Sequence, residues 1–125
     1  MILRDKDKER LVAIFKSVGL PLEVWAYGSR VSGTAHSGSD LDLVVFNKNQ
    51  DSLPPGILQE LRYKIRESNI PILVQLFDWA QLPQSFHRNI EAQHEVLFSS
   101  LSSIAEEPEN GYSNKGENRQ SDSED

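Results

Sequence analysis

The chain contains no cysteine. No disulfide framework, thiolate nucleophile or cysteine-ligated zinc site can be built from it, and the absence suits a reducing cytosol. Long apolar runs are missing as well: nothing approaches the roughly 18–20 apolar residues of a membrane span. The opening Met1-Ile2-Leu3 runs directly into RDKDKER, so no signal peptide, no membrane partner and a cytoplasmic location are expected. Basic charge is also short, with a formal net charge of −6. From residue 99 onward Lys115 and Arg119 stand against Glu106, Glu107, Glu109, Glu117, Asp122, Glu124 and Asp125, which leaves residues 1–98 close to neutral. A near-neutral body with an acidic end is a poor electrostatic match for a polynucleotide, so direct nucleic-acid binding is not expected.

What is present fits one small domain. A chain of 125 residues buries roughly two-thirds of its unfolded surface, enough for one core without staples. Leu11, Ile14, Phe15 and Val18 recur at helical spacing, predicting a helix over residues 4–18 that stops at Gly19. Residues 22–27, rich in β-formers, read as a strand, and a short helical turn follows from Ser29 to Gly33. Residues 41–46 are apolar on both faces beyond Asp42, as in a central strand. A turn cluster then leads to a helix over about residues 56–67, a strand over 72–77, and a last helix over about 83–95. The apolar Val96-Leu97-Phe98 adds an edge strand. The expected class is α+β, an α/β sandwich in which helices pack on a small mixed β-sheet. The domain is read as residues 1–100. Residues 101–125, poor in aliphatics and rich in Ser, Glu, Asn and Gly, are read as a disordered acidic tail.

Chemistry concentrates in GSRVSGTAHSGSDLDLVV, residues 28–45. Asp40 and Asp42 are two apart, so on a strand their carboxylates share a face and repel unless a cation lies between them. Hard oxygen ligands of this kind suit Mg²⁺, which takes one or two protein carboxylates together with phosphate and water. Gly28 ends a strand and lets backbone approach a phosphate, while Ser29 adds a hydroxyl donor at the start of a helical turn. Arg30 reads either as an additional phosphate contact or as a surface arginine. Gly33 and Gly38 bracket a loop that returns the chain, setting the phosphate turn beside the carboxylates. A nucleoside triphosphate with Mg²⁺ fits between them.

Other candidates read more simply as structure. His36 is a loop histidine, and His87 and His94 share a face of the last helix without completing a metal site. Trp25 and Trp79 read as sheet aromatics in preference to base-stacking residues. Ser29 and Ser85 lack visible histidine–aspartate partners, which leaves hydrolase chemistry unsupported.

Gly28-Ser29, ten residues, then Asp40-x-Asp42, with VWAYGSR before and LFDWA after, resembles the DNA polymerase β-like nucleotidyltransferases. The short chain is most similar to their minimal nucleotidyltransferase branch, over about residues 8–98. That resemblance implies the nucleotidyltransferase fold and an ATP substrate, with Gly28 and Ser29 on the triphosphate and Asp40 and Asp42 on Mg²⁺. It also implies a partner, a HEPN-domain protein acting as the toxin of a toxin–antitoxin pair. By the same resemblance, that partner would be neutralised by binding and by transfer of AMP to a tyrosine hydroxyl. One departure stands out: relatives carry a third carboxylate where this chain has Gln75. Gln75 is neutral and cannot act as a base, so an alternative is a weakened antitoxin that neutralises its partner by binding alone. Asp78 lies three residues on and faces the other way, reading best as the N-cap of the turn at Trp79.

Overall fold

Leu11 and Phe15 are fully buried on α1 (Asp5–Ser17), as their spacing requires. The structure is a computed structural model and describes residues 1–36 and 38–101. After α1 come β1 (Glu23–Tyr27), the four-residue turn α2 (Ser29–Ser32) and β2 (Leu41–Phe46). They are followed by α3 (Ile57–Arg66), β3 (Val74–Asp78), a 3₁₀ turn over Trp79–Gln81, α4 (Gln84–Ala92) and β4 (Glu95–Ser99). The sheet is mixed, in the order β3-β2-β1-β4. β1 runs antiparallel to β2 and to β4, while β2 and β3 are parallel and joined through α3. The expected α+β class and the edge strand after the last helix are both present. That helix ends earlier than its periodicity suggested, at Ala92, because the chain turns through Gln93 into β4.

Alternation along β2 divides the molecule into two layers. Leu41, Leu43 and Val45 pack with Leu11 and Phe15 of α1 and with Leu58, Leu61 and Ile65 of α3. Val44 and Phe46 face the other way, into a smaller cluster with Trp79 and Ile90. Asp42 shares that second face by the period of two. Ile90 and Trp79 cover the Val44 and Phe46 end of this face, while Asp42 at the other end is half-buried. Arg62 on α3 donates from Nε and Nη2 to the Leu76 carbonyl at 3.0 and 2.7 Å, fastening the edge strand β3 that carries Gln75.

The aromatic candidates make up the second layer. Trp25 stacks on His94 at 3.8 Å and meets Phe46 and Trp79 edge-on, while Trp79 stacks on His87 at 4.0 Å. The two histidines seven apart therefore each cover a tryptophan. His87 also bonds the Trp79 carbonyl, and His94 the Ile90 carbonyl. Leu101, read from sequence as the first residue of the tail, packs against this cluster. The remainder of that tail lies outside the described residues.

Candidate active site

Gly28 ends β1 with φ 84° and ψ −157°, a region that residues with a side chain avoid. A Cβ placed on it would also lie 2.5 Å from Oδ2 of Asp42. Conformation and close approach thus both demand glycine, and the turn presses directly on the carboxylate. We expect Gly28→Ala to cost about 1–3 kcal/mol, read as a fall in the midpoint of urea unfolding. Past Gly28 the chain winds tightly. Val31 and Ser32 donate to the Gly28 carbonyl at 3.0 Å, and the Ser29 carbonyl collects the amides of Gly33, Thr34 and Ala35 at 3.1–3.2 Å. Gly33 closes the turn in the left-handed region at φ 88°. The Ser29 side chain makes no hydrogen bond among the described residues, so its hydroxyl is available to a ligand.

The sheet register brings the carboxylates and Gln75 together. Asp42 pairs with Tyr27 on one side and with Gln75 on the other. Asp40, two residues before Asp42, accepts a hydrogen bond on Oδ2 from Nε2 of Gln75 at 2.8 Å. A carboxylate only accepts, so the glutamine must present its amide nitrogen. Burial, and then the charge of Asp40, push the Asp42 carboxyl above its ordinary range. Burial and the charge of Asp42 push the Tyr27 phenol up to about 12, keeping it neutral at physiological pH. A cation between Asp40 and Asp42 would relieve this repulsion, and their oxygens suit a hard divalent ion. Among the described residues no group of three or more His, Cys, Asp or Glu is placed to hold a metal, in keeping with glutamine at position 75.

Arg30 requires a correction. It is not a surface residue, for it is 5% exposed. Its Nε and Nη2 donate to the Ser39 carbonyl at 3.0 and 2.8 Å, and Nη1 donates to the Ile2 carbonyl at 2.7 Å. The Ile2 amide returns a bond to the Arg30 carbonyl at 2.9 Å. The guanidinium therefore ties the start of the chain to the residue immediately before Asp40. Nothing local announces this, because its partners lie 28 and 9 residues away. Arg30→Ala is expected to cost about 1–3 kcal/mol through the carbonyls it strands, seen as a lower melting temperature.

Asp78 behaves as a cap. It is 3% exposed and accepts from the Ala80 amide and from the Leu53 amide, both at 3.1 Å, away from the carboxylate pair. His36 is exposed and accepts from the Gly38 amide within its own loop. A cleft of about 430 Å³ runs along α3 and β3, from Arg62 to Ile72, and includes Gln75 among its lining residues. A second, of about 290 Å³, opens beside Gly28 between the end of β1 and α4. Its α4 wall, which includes Phe86, Asn89 and Gln93, was not singled out in the sequence.

A glycine-serine turn pressed against paired carboxylates on a small mixed sheet defines a nucleotidyltransferase-fold protein. The chain belongs to the family described as Polymerase beta, Nucleotidyltransferase, which it matches over residues 9–102. It is 36% identical over 74 residues to the probable protein adenylyltransferase MntA of Haemophilus influenzae. That similarity covers 59% of this chain and 63% of the relative, so the chain spans less than two-thirds of that protein's length. A crystal structure of a toxin–antitoxin with AMP-PNP shares the fold at a TM-score of 0.61 and 21% identity, over 78% of this chain and 77% of that one. The toxin–antitoxin MntA-HepT crystal structure does so at 0.57 and 16%, over 82% and 78%.

Proposed function

We propose that this chain is a Mg²⁺-dependent nucleotidyltransferase that transfers AMP from ATP to a hydroxyl of a HEPN-type toxin, acting as its antitoxin in the cytoplasm. The observation that carries the reading is the contact of Gly28 with Asp42: the turn suited to phosphate and the carboxylate suited to a metal are in van der Waals reach. The adenylyltransferase name of the 36% identical relative supports the reaction, and the toxin–antitoxin complexes that share the fold support the setting. Gly28 and Ser29 would hold the triphosphate, and Asp40 and Asp42 the Mg²⁺, whose chemistry is to neutralise charge on the phosphates. The acceptor oxygen bonds to the α-phosphorus as the bond to the β-phosphate oxygen breaks, releasing pyrophosphate. Gln75 cannot take the acceptor's proton, so one of the two carboxylates, Asp40 or Asp42, would have to receive it.

The second reading is an antitoxin that neutralises its partner by binding alone. The Gln75–Asp40 hydrogen bond favours it, because it satisfies one carboxylate without metal. The deciding experiment incubates the protein with α-labelled ATP, Mg²⁺ and the partner encoded beside it. Label on the partner is the expected result. No label, with the partner still inhibited in a stable complex, would overturn transfer in favour of occlusion.

A further inference from the structure

We propose that the cleft between β1 and α4 is the nucleobase site, in which Phe86 stacks on adenine and Asn89 and Gln93 read its edge. The inference rests on the nucleotide-binding reading above and assigns residues to a part of the ligand which that reading leaves unplaced.

The cleft holds about 290 Å³ and is lined by Tyr27, Gly28, Phe86, Asn89, Ile90 and Gln93. Such a volume lies at the lower edge of the roughly 300–1,000 Å³ of small-molecule sites, so it takes part of a nucleotide, not the whole. Gly28 belongs both to this cleft and to the contact with Asp42. A triphosphate held on the turn would therefore lie at the rim of this cleft.

The lining suits a flat heteroaromatic ring. Phe86, Asn89, Ile90 and Gln93 follow helical spacing along α4 and its C-cap, so they present one face. Ile90 is 2% exposed and makes an apolar floor, while Phe86 is 47% exposed and has apolar surface left to cover. The side-chain amides of Asn89 and Gln93 make no hydrogen bond among the described residues. An uncommitted carboxamide offers a donor and an acceptor together, the pattern that pairs with N6 and N7 of adenine. Guanine's matching edge carries two acceptors and calls for Arg or Lys, and neither lines the cleft.

Isothermal titration of the full chain with ATP, GTP and inorganic tripolyphosphate, each with Mg²⁺, tests the assignment. The wild-type protein should bind ATP about tenfold or more tighter than tripolyphosphate, and tighter than GTP. Phe86→Ala should weaken ATP about tenfold and leave tripolyphosphate unchanged. Replacing Asn89 and Gln93 together by alanine should bring ATP and GTP toward equal affinity. Both changes lie on exposed side chains, and thermal unfolding of each variant checks that the fold is kept. ATP affinity unmoved by these substitutions, or tripolyphosphate affinity falling in parallel, would overturn the base site while leaving the phosphate site standing. A wild-type protein that binds neither ATP nor tripolyphosphate would overturn both.

Discussion

Asp42→Asn is expected to lower transfer by about 10²–10⁴-fold while raising the melting temperature of the metal-free protein. The loss of rate follows from the position of Asp42 between Tyr27 and Gln75 and against Gly28, where under the proposed function its charge would hold a cation on the phosphates. Removing such charge stabilisation is worth several kcal/mol of barrier, hence several powers of ten. The gain in stability has the same origin. Burial and Asp40 raise the Asp42 carboxyl above its ordinary value, so the folded protein holds that proton more tightly than the unfolded chain does. Stability attached to this group is present below its unfolded pKa of about 3.9 and is lost as pH rises through the folded value. Asparagine escapes that loss. Melting curves in EDTA should therefore separate wild type from Asp42→Asn at neutral pH and converge below about pH 4. Equal melting temperatures at pH 7 would show that the pair is not strained.

Gln75→Asp is expected to have the opposite signature: weaker in EDTA, more strongly stabilised by Mg²⁺, and faster in transfer by about 10²–10⁴-fold. Gln75 now donates to Asp40 at 2.8 Å. An aspartate in its place has no proton to donate at neutral pH and sets a third negative charge beside Asp40 and Asp42. Without metal that arrangement costs stability, and with metal it supplies an additional ligand and a proton acceptor. Melting curves with and without Mg²⁺, followed by the labelled-ATP assay, read all three effects. If Gln75→Asp leaves both the Mg²⁺ response and the rate at wild-type levels, position 75 does not limit the chemistry. If transfer appears only in the variant, the native protein is the occluding antitoxin.

Much of this site was legible in the chain. Gly28, Ser29, Asp40 and Asp42 stand at a spacing that a short turn, a loop and a strand can close, and the β1–β2 register closes it. Gln75 was legible as a departure because strand alternation and the LFDWA segment locate it. Its hydrogen bond to Asp40 was not, since parallel pairing across α3 joins residues 35 apart. Arg30 was misread for a related reason. A long, flexible side chain next to a phosphate-type turn has many reachable partners, and Ile2 and Ser39 come within its reach through the way the start of the chain docks.

The sequence by itself determined the alternation of helices and strands, the apolar faces of α1 and α3, the need for glycine at the turn, and the carboxylate pair. These are local matters of period, backbone freedom and charge type. Only the tertiary structure decided that Gln75 ties Asp40, that Arg30 fastens the start of the chain, and that α4 forms a cleft wall beside Gly28. Each of these depends on groups distant in sequence meeting at hydrogen-bond or van der Waals range. Such meetings are set by the packing of two layers on one sheet, and no local pattern in the chain encodes them.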